Sequence, residues 1–405
     1  MKPFPLAHAT HPDWRMAAAL VLAQLRAQAG VLPRLALLYI TDHFATHAQA
    51  MLDQLMAGLP EVTDWVGATG VGIAATGVEY VDEPALAVML IDLPPEQYRV
   101  FNGVLPLPAA WAAPGKGDRF AAHTALVHAD ANTPDFTELL SELAERTLSG
   151  GVFGGLVASR TTPVQFAHSS QGSPLGRGMG AGVFSGGMSG VAFGPGVELL
   201  TVVTQGCSPI GASRQASRTQ GNLVLALDGQ GALDALLGDA GVSLDQPEPA
   251  IRRLREVLVA ISPADRRPDA WPVLIEDEAG KGLGAQARVR HIIGLDPLRR
   301  GVAVADLVED GERLVFCERH VDAAREDLMH MCVALRDRVE SHEHPGKRLC
   351  GAIYVSCNGR GGSHFGSPGA ELQWVRRALG DVPLVGVFAG GEIAGRQLYG
   401  YTGVL

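Results

Sequence analysis

Short apolar runs alternate along the chain with stretches whose apolar residues recur at helical spacing. Leu37-Leu38-Tyr39-Ile40 ends on the polar pair Thr41-Asp42. A helical stretch at about 44–58 then leads to a second run at about 63–68 and a turn rich in glycine, Gly67 to Gly72. Near the other end, Ala352-Ile353-Tyr354-Val355 closes on Ser356-Cys357, and a helix leads to Val385-Gly386-Val387-Phe388 and the turn Gly390-Gly391-Glu392. Leu126-Val127-His128-Ala129-Asp130, a helix, and Gly151-Val152-Phe153-Gly154-Gly155-Leu156 make a looser third copy. Short apolar runs bounded by turn residues are strand signals, so each copy predicts strand, polar strand end, helix, strand and glycine turn. Backbone N–H groups are free to meet a ligand at such strand ends and turns. The recurrence predicts a binding site built from matched halves.

Between the copies the pattern varies. Trp14, Ala17, Val21 and Leu25 share one face of a helix, which argues for a surface helix rather than a cleaved leader. Pro84 introduces the buried-strand run Ala85 to Ile91. Prolines between 94 and 118 mark an irregular excursion. Gly172, Gly176, Gly178, Gly180, Gly182, Gly186, Gly187, Gly190, Gly194 and Gly196 dominate a loop feeding a hairpin, with its next strand at Val197 to Val203. A polar stretch with Arg214 and Arg218 precedes the strand Leu223 to Leu227. The stretch 238–250 reads as a domain boundary, followed by a helix at about 249–260. Strands at about 285–294, 300–307 and 312–319 are separated by Asp296-Pro297 and Glu309-Asp310-Gly311, which predicts an antiparallel meander. Asp322 reads as the N-cap of a helix running to about 340. Strands thus arrive both as hairpins and as strand–helix–strand units. The fold class expected is α+β in two domains, 1–240 and 241–405, with mixed or antiparallel sheets and helices on the outer faces.

With 405 residues, 47% hydrophobic and 19% charged, the chain is long and apolar enough for two ordered cores. A formal charge of −10 without a Lys/Arg-rich run argues against nucleic acid and anionic membrane as partners. No apolar run approaches the length of a membrane span. Cys207, Cys317, Cys332, Cys350 and Cys357 form no CxxC pair, which fits reduced thiols in a cytoplasm.

Several motifs invite chemistry. Gly70-Val71-Gly72-Ile73-Ala74-Ala75 fits the dinucleotide pattern GxGxxA, but Gly77, Val78, Tyr80 and Pro84 suit a turn and strand where that mechanism requires a helix. Cys207 in Gly-Cys-Ser-Pro and Cys357 in Ser-Cys-Asn-Gly stand on turns where a nucleophile would sit, Cys357 with Asn358, Arg360 and His364 nearby. Free cysteines are more often small buried hydrophobes. His342-Glu343-His344, with His330 one helix away, is a formal metal pattern that reads as a solvated cluster at a helix end. Gly390-Gly391-Glu392 carries more. Two glycines after a buried strand permit positive φ or close approach of a ligand, and a carboxylate there is costly to bury unpaired. Arg360, Arg214 or a ligand ammonium are the candidate partners, against a plain turn with Glu392 solvated. The corresponding position in the N-terminal copy reads as Gly72.

At these residues the chain resembles the FIST family, sensory modules with paired FIST N and FIST C domains. The resemblance rests on Gln205-Gly206-Cys207-Ser208-Pro209-Ile210-Gly211, on Ser356-Cys357-Asn358-Gly359-Arg360-Gly361, and on Val382-Pro383-Leu384-Val385-Gly386 running into Gly390-Gly391-Glu392-Ile393. It spans about residues 35–395. It implies a cytoplasmic small-ligand sensor, with amino acids among the ligands proposed for such proteins and haem implicated for some. Where the family carries a serine-and-glutamate turn after its first repeat, this chain has Ala68-Thr69-Gly70-Val71-Gly72. No transmitter, kinase or F-box segment accompanies the module, so output is expected to run through a separate signalling protein. The expected ligand site lies in a cleft between the domains. Glu392 would take an ammonium, Arg360 or Arg214 a carboxylate, and Asn358 with the backbone at Gly206, Cys207, Gly390 and Gly391 would fix orientation. The rival reading is a cysteine-dependent enzyme using Cys357 or Cys207, and a haem-binding sensor is the third.

Overall fold

Runs that are apolar at every position become strands buried on both faces. Leu35–Thr41 and Ala85–Ile91 are buried along their whole lengths, as the sequence predicts. The computed structural model describes residues 2–28, 30, 33–103, 120–169, 182–264, 287–340 and 348–405. The fold is α+β with mixed sheets. Among the described residues, three of its sheets have six strands and the fourth, of eight, is entirely antiparallel.

The three six-stranded sheets share one plan. In the first unit, strand Leu35–Thr41, helix Ala48–Gly58 and strand Asp64–Gly70 form a parallel pair with its crossover. A hairpin of Gly72–Ala75 and Val78–Val81 follows, and Ala85–Ile91 returns antiparallel beside the first strand. The second unit repeats this with Thr124–Ala129, helix Phe136–Glu145, Gly151–Leu156, the hairpin strands Gln165–Ser169 and Gly182–Phe184, and Met188–Phe193. The third uses Ala352–Cys357, helix Ala370–Leu379, Leu384–Ala389, the hairpin Glu392–Ala394 with Gln397–Tyr399, and Gly403–Val404.

No unit keeps its own hairpin. That of the first pairs with Leu384–Ala389 of the third, that of the third with Gly151–Leu156 of the second, and that of the second with Asp64–Gly70 of the first. The exchange closes a ring, and the central core takes Leu37, Leu126 and Val355 from the three units in turn. Gly67, Gly154 and Gly386 occupy one equivalent position, facing Leu38, Val127 and Tyr354 across the parallel pairs. A Cβ at any of them would run into the carbonyl oxygen opposite, so close strand approach requires glycine there.

The fourth sheet runs through Arg214–Gln220, Leu223–Leu227, Gly301–Val304, Arg288–Asp296 and Val257–Ser262. Arg313–Arg319 pairs with both Val257–Ser262 and Arg214–Gln220, which closes the sheet into a barrel. Strands from both sides of residue 240 build it around Val224, Val259, Val302 and Phe316.

The structure departs from the pattern reading in several places. Arg288–Asp296 and Gly301–Val304 do form a hairpin, but Arg313–Arg319 crosses to Val257–Ser262 instead of completing a meander. Of Val197 to Val203, only the end pairs: Val202 exchanges backbone hydrogen bonds with Leu405 at 2.9 Å, and the strand itself is Val203–Thr204. The helix expected at about 249–260 is shorter, Pro247–Leu254, and strand follows from Val257. Asp322 lies inside helix Val321–Glu340 rather than capping it. After Gly70 and Gly72 the backbone is strand, so the dinucleotide pattern has no helix to serve. The glycines of 170–181, the prolines of 104–119 and His342-Glu343-His344 lie outside the described residues.

Candidate functional site

Glu392 opens the hairpin of the third unit, and its neighbour across the sheet is Gly155 of the second. Its side chain is 0% exposed, so the solvated-turn reading of the sequence does not hold. Oε2 accepts hydrogen bonds from the Thr402 hydroxyl at 2.7 Å and the Thr402 amide at 3.2 Å. Oε1 has no partner. The Cys357 thiol is close enough to the carboxyl group for each to shift the other's ionisation. Burial pushes the carboxyl up to about 8, against the pull of the Thr402 hydrogen bonds, the Arg360 charge and Cys357. The same burial, and then Glu392 itself, pushes the Cys357 thiol up to about 11.

Arg360 does not pair with Glu392. Its Nε and Nη2 both donate to Glu371 Oε1, at 2.8 and 2.6 Å, with both side chains 1% exposed. Glu371 also accepts from the Tyr354 hydroxyl at 2.7 Å and from Ser356 at 3.1 Å. A buried arginine is tolerable only with such pairing, and Arg360 reaches Glu392 through its charge alone. Arg214 is on the barrel, its guanidinium held by Asp239 at 2.6 and 2.8 Å. Neither cation offers a ligand an open face.

The remaining expected contacts divide similarly. With its amide turned over so that the nitrogen faces them, Asn358 donates to the backbone oxygens of Phe388 at 2.7 Å and Ala389 at 3.2 Å, tying the two parallel strands together. The Gly390 N–H donates to Leu156 at 3.0 Å, and the Gly391 carbonyl accepts from Leu156 at 2.8 Å, so this backbone serves the seam with the second unit. Gly206 lies against the Tyr401 carbonyl, where a Cβ would collide, and Arg360 Nη1 is next to it. Cys207 faces Arg319 across an antiparallel pair. Glu392, Cys357, Arg360, Gly206 and Cys207 therefore gather around Tyr401-Thr402, while Arg214 stands apart.

The residues that bind this cluster together carry no motif. Thr402 holds Glu392. Tyr401, at φ 62°, hydrogen-bonds His291 of the barrel at 2.6 Å and lies beneath the Arg319 guanidinium, 4.7 Å from the ring centre. Arg319 also donates to the Gly359 carbonyl and approaches His364 Nδ1 at 3.4 Å. Burial, with the charges of Arg319 and Arg360, pushes His364 down to about 4. Arg290 of the barrel donates to the Leu398 carbonyl at 2.8 Å.

The ring supplies an internal comparison. One residue beyond the equivalent glycines, Ala68 faces Gln165, Gly155 faces Glu392 and Val387 faces Ile73. Strand register thus places Ile73, rather than Gly72, at the position of Glu392. Ile73 sits in the apolar core. Gln165 donates to the carbonyls of Gly186 and Gly187 at 3.1 and 3.3 Å and accepts from Ser189 at 2.7 Å. Of the three, Glu392 alone is ionisable and alone keeps an unpartnered oxygen. Among the described residues no group of three or more His, Cys, Asp or Glu could hold a metal, and no helix is long and apolar enough to cross a membrane.

Comparison with known proteins assigns the chain. An uncharacterized protein of Mycobacterium tuberculosis is 28% identical over 405 residues, covering 97% of this chain and 96% of its own length. An uncharacterized protein of Mycobacterium bovis is 29% identical over 409 residues, covering 97% of this chain and 95% of its own length. A FIST N domain matches residues 34–230 and a FIST C domain residues 250–395. The chain belongs to the FIST family.

Proposed function

We propose that this protein is a non-catalytic small-ligand sensor whose ligand offers an ammonium or similar donor group to Glu392. The supporting observation is the unpartnered Oε1 of a fully buried carboxyl group, at the one ring position of three where the side chain can ionise. A buried polar atom without a partner is costly, and a ligand donor removes that cost. An amino acid or related small metabolite is the ligand class, and its anionic end meets Arg319 at the rim rather than Arg360 or Arg214, both occupied by carboxylates. Entry requires the Tyr401-Thr402 segment to move, and that segment touches the barrel at His291 and Arg319. Ligand occupancy therefore reaches the barrel surface, where a separate signalling protein would read it.

The cysteine-enzyme alternative is disfavoured at Cys357, whose thiol is pushed up to about 11 beside an acid rather than drawn down beside a base. The test is a thermal-shift screen against amino acids, amines and their uncharged analogues. A ligand confined to the native state adds about 2.7 kcal/mol at 100 times its Kd, which is read directly as a higher melting temperature. A shift with amine-bearing compounds that disappears in Glu392→Gln is expected. No shift with any amine, or one that survives in that variant, would overturn the reading.

A further inference from the structure

Two thiols that the ligand site does not use meet at the edge of the barrel. Cys207 begins the strand Cys207–Pro209, and Cys317 lies in Arg313–Arg319. The strands are antiparallel, with Cys207 opposite Arg319 and Pro209 opposite Cys317. The cysteines are thus diagonal neighbours on one face, a spacing that a disulfide closes only if the two strands draw together by roughly an ångström. They belong to one small cluster with Leu258, Ala260 and Val289, and their thiols are close enough to perturb each other's ionisation. Cys317 is 0% exposed and Cys207 6%, so Cys207 is the member of the pair nearer to solvent.

We propose that Cys207 and Cys317 are an oxidisable dithiol, in which Cys207 is oxidised by a hydroperoxide and Cys317 resolves the product into a disulfide across the two strands. In the first step the Cys207 thiolate attacks the peroxide O–O bond. A sulfenic acid forms, and with one proton taken up the leaving oxygen departs as water when the oxidant is hydrogen peroxide. In the second, the Cys317 sulfur displaces that hydroxyl as a second water, giving the S–S bond. Two thiols have then lost two electrons, and the peroxide has been reduced to two waters. The electrostatics match this division of labour. The contact with Cys317, with the charges of Arg319 and Arg360, lowers Cys207 despite its burial, whereas Cys317 is raised by that same contact and by burial. Cys332, raised to about 12 by burial, and Cys357, at about 11 beside Glu392, lack this arrangement.

The experiment treats the reduced full-length chain with one equivalent of hydrogen peroxide, blocks remaining thiols under denaturing conditions and maps the peptides by mass spectrometry. The expected result is a cross-linked pair containing Cys207 and Cys317, reversed by a dithiol reductant, with Cys332, Cys350 and Cys357 recovered as blocked thiols. In Cys317→Ser a trappable sulfenic acid should persist on Cys207. Recovery of both thiols unoxidised, oxidation of Cys207 to a sulfinic acid without cross-linking in the unaltered chain, or a cross-link to any other cysteine would each overturn the proposal. Because the unaltered protein carries the main test, poor folding of a variant does not blunt it.

Discussion

At the scale of single residues, the buried acid sets the sharpest expectation. Below about 4.5, the ordinary value for glutamate, Glu392 is protonated in folded and unfolded chains alike. Between there and about 8 the folded chain holds a proton that the unfolded chain has released, so stability falls as pH rises through this window and the loss is complete above it. Glu392→Gln removes this contribution. Its stability should exceed that of the unaltered chain at pH 9 and converge with it near pH 5, as read from urea unfolding at fixed pH. Parallel pH curves would show that Glu392 does not hold its proton. Arg360 and Glu371 respond differently, because cutting a buried pair strands a charge. Glu371→Gln should cost on the order of 3–5 kcal/mol, and Arg360→Met combined with Glu371→Leu should cost much less, measured by the same unfolding curves. A single variant within about 1 kcal/mol of the parent would mean the ion pair is dispensable. The sequence pointed to Glu392 because Gly390-Gly391 announces a strand end, and to Arg360 because it stands beside Cys357. It could not pair them correctly. The partner of Arg360 is Glu371, set by where helix Ala370–Leu379 packs, and the partner of Glu392 is Thr402, beyond the segment that carries the family pattern.

Secondary-structure elements were legible where burial is one-sided or complete. The first helix shows its buried stripe of Trp14, Ala17, Val21 and Leu25, and the all-apolar strands declare themselves by composition. Arg214–Gln220 was hidden because only Ala216 is buried in that strand, so no alternation marks it. Pairing between distant elements was also hidden, since the first unit's Ala74 meets Gly386 of the third and nothing local encodes that register. Glycines separate the two kinds of constraint. Gly386→Ala puts a methyl group onto the Tyr354 carbonyl and should destabilise by about 1–3 kcal/mol or more. Gly238 lies inside helix Ala232–Ala240, and a methyl group added there would meet nothing within 4 Å. As alanine it should instead gain about 0.5–1 kcal/mol. If both melting temperatures fall, the gain from restricting the backbone at Gly238 has been misjudged, and if both rise, the close strand approach at Gly386 has been.

Across the whole molecule, the exchange of hairpins makes the three units interdependent, and the barrel draws strands from both sides of residue 240. Splitting the chain there removes Leu384–Ala389 from beside Gly72–Ala75 and Glu392–Ala394 from beside Gly151–Leu156. It also takes Val257–Ser262 and Arg313–Arg319 out of the barrel. Every cut leaves unpaired strand edges, which favour aggregation over independent folding. A fragment of residues 1–240 should therefore lack a cooperative thermal transition when made alone and recover one when co-expressed with residues 241–405. A sharp melt from the isolated fragment would show that the ring is decoration on an autonomous half. The same interdependence places Glu392 where the second and third units meet and Tyr401 where the third meets the barrel. A change in the proton or ligand at Glu392 acts on Thr402, and through the adjoining Tyr401 on His291 and Arg319, across an interface the fold cannot leave unpaired.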